Sequence, residues 1–429
     1  MKKIKSLRLF ILILGSILCM SVWCNGENEN LVAPMKKAEI EALYSAIEAF
    51  VGKWNGSDLY PDPCGWTPIQ GVCCDLFDGF WYVTELSIGP IHDNSLNCAQ
   101  NAKFSPHLFA LSHLKSLSFF NCFNSPFQYP ISIPTPNWEA LASLESLEFR
   151  SNRGLTGRIP STFGKLKNLK SLVLVENGLN GELQPSIGNL LNLKRLNLAG
   201  NSFAGKIPDN FGGLNRLLIL DMSRNSLSGS FPLTFGGLTS LLKLDLSYNR
   251  LEGRIIPREM GNLKNLTLLD LSQNKISGGL TKSLENLSSL RELVLSNNPI
   301  GGGLMILEWR NLMGLGALDL SNTSLTGGIP ESMSELKGLR FLGLHDNMLT
   351  GDVLPELENL PNISALYING NNLTGELKFS ELFLEKMGRR LGAWDNPNLC
   401  YPTGLITRSY NVPFGVKKCE HQGLKYEIG

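Results

Sequence analysis

Five histidines, His92, His107, His113, His345 and His421, are the side chains best suited to proton transfer near neutral pH. They are scattered, and none has a serine and an aspartate around it in the pattern of a nucleophilic triad. Carboxylates recur more regularly: Asp221, Asp245, Asp270 and Asp319 each occupy one LDLS-like unit. One per unit at regular spacing reads as a solvated stripe and not as the paired carboxylates of a glycosidase. The glycine clusters SGGL at Ser277 and GGGL at Gly301 stand between repeating units, outside any strand-loop-helix phosphate cradle. No CxxC pair and no histidine cluster accompanies the cysteines, so a metal site is not expected. The sequence therefore offers no catalytic residue, no metal ligand set and no cofactor motif, and an enzyme is not expected.

The cysteines speak instead to compartment. Lys2, Lys3, Lys5 and Arg8 precede an apolar run from Leu9 to Val22, the layout of a signal peptide over residues 1–26, with cleavage near Cys24 to Gly26. The run is shorter than the ~20 residues a spanning helix needs. Cys19 and Cys24 are expected to leave with it, and seven cysteines remain: Cys64, Cys73, Cys74, Cys98, Cys122, Cys400 and Cys419. They gather at the two ends, with none between Cys122 and Cys400, as disulfides stapling terminal caps would. Six glycosylation sequons, at Asn55, Asn265, Asn286, Asn322, Asn362 and Asn372, agree with a secretory route. The formal net charge of +1 and the lack of basic runs beyond the leader argue against nucleic acid. The polar stretch from Tyr401 onward carries neither a spanning segment nor a lipid-anchor signal, so direct membrane insertion is not expected.

The elements that must position any functional residue come from a repeat. LNRLLILDMSRNSLSGSFP from Leu214, LTSLLKLDLSYNRLEGRIIP from Leu238 and LKGLRFLGLHDNMLTGDVLP from Leu336 share the pattern LxxLxxLxLxxNxLxGxIP. Its asparagine position falls at Asn152, Asn177, Asn201, Asn225, Asn249, Asn274, Asn298, Thr323, Asn347 and Asn371, in steps of 24 or 25 residues. One such unit cannot bury its leucines alone and must stack them on its neighbours, which predicts an α/β solenoid. In LxLxx the leucines point inward and the alternating residues face solvent on a continuous parallel sheet. The asparagine amide is expected to satisfy a turn with no ladder partner, with Thr323 replacing only part of that bonding. Glycine and proline in every GxIP segment would break the helices of a bundle. An irregular unit, LSHLKSLSFFNCF from Leu111, comes before these and is followed by the insertion QYPISIPTPNW; a degenerate strand, VTELSIG from Val83, opens the sheet. Ile40, Leu43, Tyr44, Ile47, Phe50 and Val51 form the stripe of an amphipathic capping helix. The chain thus divides into a signal peptide (1–26), an N-terminal cap (27–110), an irregular first repeat with its insertion (111–143), regular repeats (144–380) and a C-terminal cap and tail (381–429).

These units resemble the plant-specific leucine-rich repeats of receptor kinases, receptor-like proteins and polygalacturonase inhibitors. The resemblance implies a right-handed superhelix with a strand-lined concave face, a second short sheet along one flank and disulfide-bonded caps. WNGSDLYPDPCGWTPIQGVCCD, from Trp54, is similar to the family's N-terminal cap, on whose template Cys64 pairs with Cys74. Closing so short a loop contributes ~2–3 kcal/mol. Cys73 stands beside Cys74, so the template leaves open which of the two is bonded. Cys98 with Cys122 and Cys400 with Cys419 are the other expected pairs, leaving Cys73 as a free thiol or an intermolecular link. The cap, the text from Asp75 to Cys98 and the insertion resemble one smaller group, the Piriformospora indica-insensitive proteins, related to receptor-like proteins such as Too Many Mouths. That resemblance implies signalling at the root cell surface, including responses to a fungal endophyte.

With no chemistry to perform, the expected function is binding a protein or peptide, such as a receptor kinase ectodomain, outside the cell, in the response to microbes or in development. The alternative is inhibition of a secreted cell-wall-degrading enzyme, as polygalacturonase inhibitors do; those carry four cysteines at each end, whereas this chain has two in its C-terminal cap. A structural wall protein is disfavoured by the lack of a proline-rich tract. Ten strands at ~4.8 Å spacing make a face ~50 Å long, ample for a standard interface. Residues departing from the LDLS filler fall in an early group, Glu148, Arg150, Val173, Val175, Glu176, Arg195 and Asn197, and a late group, Phe341, His345 and Tyr367. Arginines and aromatics are enriched in hot spots, which singles out Arg150, Arg195, Phe341 and Tyr367. Asn322 ends a strand near the concave edge, where a glycan would obstruct a partner.

Overall fold

The structure is a computed structural model that describes residues 33–90, 96–124, 130–254, 257–402 and 412–420. The expected signal peptide lies outside the described residues. Along each unit the LxL leucines alternate inward, and Leu220, Leu244, Leu269, Leu293, Leu318 and Leu342 are fully buried. These same leucines are direct partners in successive parallel strands, so the register advances by one whole repeat per strand. The result is a 14-stranded sheet running from Val72–Phe77 to Leu391–Gly392. It opens on an antiparallel hairpin of Val72–Phe77 with Phe80–Ile88, and the latter strand, which holds VTELSIG up to Ile88, begins the parallel run against Ser116–Phe120.

Asparagine makes the turn after each strand self-sufficient. Asn249 Nδ2 donates to the carbonyls of Met222, Leu246 and Ser247 at 2.9, 3.1 and 3.2 Å, while its Oδ1 accepts the Leu227 N–H at 3.0 Å. Two of these four bonds reach into the preceding unit, so each amide also clamps neighbouring repeats together. The ladder continues one step beyond the sequence pattern, to Asn396, which bonds Ile368 and Leu373 in the same way. At Thr323 the hydroxyl donates to the Leu320 carbonyl at 2.6 Å and nothing in its side chain reaches residue 300, whose N–H turns to the Asn298 carbonyl instead.

On the side opposite the sheet, short 3₁₀ turns such as Asp209–Gly213 and Leu233–Gly237 stack against one another and bury Phe211 and Phe235. In these two turns the glycine after the buried phenylalanine permits the close stacking: a Cβ at Gly212 would stand 2.2 Å from the Thr234 carbonyl oxygen of the next turn. The flank sheet implied by the resemblance is present but divided, into seven strands ending at Lys275–Ser277 and five beginning at Thr326–Gly327. The break falls where SGGL and GGGL replace GxIP. Gly278, Gly279, Gly301 and Gly302 all take positive φ there, and only an isolated bridge between Gly303 and Thr326 remains.

The N-terminal helix, Lys37–Val51, buries Glu39, Ala42, Leu43, Ala46, Ile47 and Phe50. Its apolar stripe is rotated from the expected one: Ile40, Tyr44 and Val51 are only partly buried, and Ala42 and Ala46 occupy the buried face in their place. Glu39 is included because its Oε1 accepts the Val83 N–H at 3.1 Å; burial pushes its carboxyl up and that bond draws it partly back. Disulfides join Cys64 to Cys74, Cys98 to Cys122 and Cys400 to Cys419. Cys73 is also disulfide-bonded, which corrects the expectation of a free thiol or an intermolecular link. Adjacent strand residues point to opposite faces, and the register shifts between Cys73 and Cys74, so each neighbour can be bonded separately.

Candidate functional site

The parallel register turns outward-facing residues into rows across the strands. The central row runs Glu148, Val173, Asn197, Asp221, Asp245, Asp270, Val294, Asp319, Gly343, Tyr367 and Gly392. A second row, two residues earlier along each strand, includes Arg195, Ile219, Lys243, Leu268, Glu292, Ala317 and Phe341.

The early group comes together on three adjacent strands, and the late group on two, with five strands between them. In the early group Glu148 and Arg150 form a half-buried ion pair. Arg150 pairs with Val175, Glu148 with Val173 and Val173 with Asn197 across the strands. Asn197 is held by the Ala199 N–H at 3.0 Å. Val173 is only 1% exposed, so it is not a contact residue. Its short side chain lies between Glu148 and Asn197 at strand spacing and is overtopped by them. Glu176 has left the strand: it adopts a positive φ of 56° at the corner, where it accepts from Ser151 Oγ at 3.2 Å.

The aspartates are not the solvated stripe expected from their spacing. Asp221 and Asp270 are 3% and 6% exposed, since a strand separation of ~4.8 Å packs each against its row neighbours. Each Oδ1 is occupied locally: Asp245 accepts from the Ser247 N–H and Oγ at 3.1 and 2.7 Å, and Asp221, Asp270 and Asp319 repeat the arrangement with their own serines. Asp245, the middle of three, is pushed up to about 7 by burial and then by the charges of Asp221 and Asp270. Lys243 opposes this from 3.4 Å to Asp221 and 3.8 Å to Asp245.

In the late group the rings of Phe341 and His345 each stand 6.0 Å from that of Tyr367. Sequence reasoning missed two neighbours there. Asn369 is 8% exposed and its Oδ1 has no hydrogen-bond partner, nor has His345 Nδ1. Trp394 stands next, its carbonyl accepting the Gly370 N–H at 3.0 Å and its ring packed on Phe414. Their signal in the sequence is the loss of the LDLS filler: glycine replaces aspartate at Gly343 and Gly392, and asparagine replaces serine at Asn369.

All six sequon asparagines are exposed. Asn322 sits just past the strand Ala317–Asp319, with φ 50° and its Nδ2 donating to Asn297 Oδ1 at 3.0 Å. Among the described residues no group of three or more His, Cys, Asp or Glu is arranged to hold a metal ion, and no helix is long and apolar enough to cross a membrane.

Two families match the chain: one described as a leucine-rich repeat region over residues 176–299, and the Leucine Rich Repeat over residues 314–336. The chain is 67% identical over 94% of its length, and 98% of the relative's, to Piriformospora indica-insensitive protein 2 of Arabidopsis thaliana. It is 36% identical over 39% of its length, and 34% of the relative's, to Receptor like protein 29 of the same plant. Among solved structures it is similar to the Arabidopsis receptor kinase HAESA in complex with the peptide hormone IDA and the co-receptor SERK1, at 27% identity and a TM-score of 0.63 over 86% of this chain. It spans 62% of the HAESA chain.

Proposed function

The chain belongs to the Piriformospora indica-insensitive group of plant leucine-rich-repeat proteins, and on that footing we propose that it is an extracellular, non-enzymatic binding protein that engages a peptide or a receptor kinase ectodomain through its sheet face. The observation that carries this reading is the face itself: 13 parallel strands from Phe80–Ile88 to Leu391–Gly392 present rows of outward side chains, with an arginine and carboxylate patch and an aromatic patch set apart along them. At ~4.8 Å per strand the six steps from Arg195 to Phe341 span ~29 Å, which a partner of standard interface size covers in one contact. The likeness to a receptor ectodomain solved with a peptide hormone and a co-receptor supports the same reading.

In this account Arg150, Arg195, Phe341 and Tyr367 contact the partner, the six sequons carry glycans and the leader directs export. A glycan on Asn322 borders the face at its rim and limits how far a partner extends past the strand ends. Affinity capture of the secreted, glycosylated protein from plant membrane extracts, followed by mass spectrometry, tests the class of partner. Recovery of a receptor kinase is the expected result; recovery of a wall-degrading enzyme in its place would overturn the reading in favour of an inhibitor.

A further inference from the structure

We propose that the end of the sheet face between Phe341 and Trp394 is a pocket for an arginine side chain of the partner. This rests on the reading of the sheet face as the binding surface, and adds the chemistry of one contact.

Three features point to a guanidinium. First, two buried acceptors lack donors. Asn369 Oδ1 and His345 Nδ1 are buried without a hydrogen bond, each two residues past the end of neighbouring strands, where the Asp346 N–H donates to the Asn369 carbonyl. A buried polar atom left unpaired is destabilising, so two close together favour an occupant that supplies donors. With the neutral imidazole's proton on Nε2, His345 Nδ1 offers a lone pair as the second acceptor. Second, the ring of Tyr367 leans over Gly392, where a Cβ would come within 2.7 Å of it, and Asn369 Oδ1 lies 2.6 Å from the same point. Without a Cβ at Gly392, Tyr367, Asn369 and the tip of the Trp394 ring, 3.1 Å from the same point, converge over the sheet and place aromatic rings beside the unpaired atoms. Third, the charges at hand are negative: Asp319 in the same row, and Asp346 and Asp395 at the strand ends.

A planar cation with five N–H donors answers all three at once, stacking on the aromatic face and donating to both orphaned acceptors. An apolar side chain would leave the acceptors unpaired. An anion would meet the aspartates. A lysine would place one compact charge where two separate acceptors need donors.

The test is an NMR titration of the full glycosylated protein with N-acetyl-arginine amide, reading the Trp394 indole and His345 ring signals. N-acetyl-citrulline amide, the uncharged isostere, serves as comparator. The expected result is a saturable shift with a Kd on the order of 1 mM, at least about ten-fold weaker for citrulline. Asn369→Leu and Tyr367→Leu, each checked for an unchanged melting transition, should each weaken the arginine response about ten-fold. No saturable shift, or equal responses to arginine and citrulline, would overturn the pocket. The probe needs no partner, so the two ideas fail separately. A receptor kinase captured alike by wild type and Asn369→Leu sinks the pocket and leaves the binding face. An arginine-specific shift with no kinase captured supports the pocket while the broader reading falls.

Discussion

Single side chains carry much of this fold because the turns after the strands have no ladder of their own. Asn249 makes four hydrogen bonds and is 9% exposed. Asn249→Ala leaves those backbone groups without their partner, and a loss of at least ~3 kcal/mol is expected in chemical denaturation. A loss near that of a surface substitution would show that water fills the turn. Asp245 acts in the other sense. Its folded carboxyl is raised to about 7 from 3.8, so the folded state holds a proton that the unfolded state has released. The stability this contributes is complete below the unfolded value and is lost as pH rises through about 7. Asp245→Asn should therefore flatten the decline in melting temperature between pH 4 and 8 and raise it at the upper end; an unchanged slope would place the titration elsewhere. Lys243→Met removes the opposing cation and should steepen the same decline.

At the scale of elements, what could be read in advance was whatever the repeat period dictates. Leucine rows, the asparagine ladder and the parallel register follow from a spacing of 24 or 25 residues, because stacking is the only way to bury those side chains. Burial within a row could not be read that way. Val173 and Asp221 look outward by alternation, yet are covered, since exposure depends on how far neighbours on the adjacent strands reach. Nor did the pattern disclose that Cys73 is bonded, or that Asn369 stands unsatisfied beside Gly392. The 3₁₀ turns offer a clean test of stacking. Gly212→Ala puts a methyl 2.2 Å from the Thr234 carbonyl, whereas a Cβ at Gly213 meets nothing within 4 Å. The first change should cost ~1–3 kcal/mol and the second almost nothing, read as the difference in melting temperature. Equal effects would mean that the turns are not held at the spacing described.

For the whole molecule, regularity is what makes a binding surface. Stacked repeats fix every outward side chain at a known row and strand, so departures from the LDLS filler form patches instead of scattering. The two patches have five strands between them, bridged by a mostly aspartate row, so one elongated partner or two separate ones are both sterically possible. Affinity measured on the captured partner decides whether the face is used. Binding of the isolated receptor kinase ectodomain to wild type should be weakened about thirty-fold or more by Arg150→Ala with Arg195→Ala, as the loss of an interface hot spot requires. Arg258→Ala, on the opposite side, should leave it unchanged. Equal affinity for all three proteins would contradict a partner seated on the sheet face.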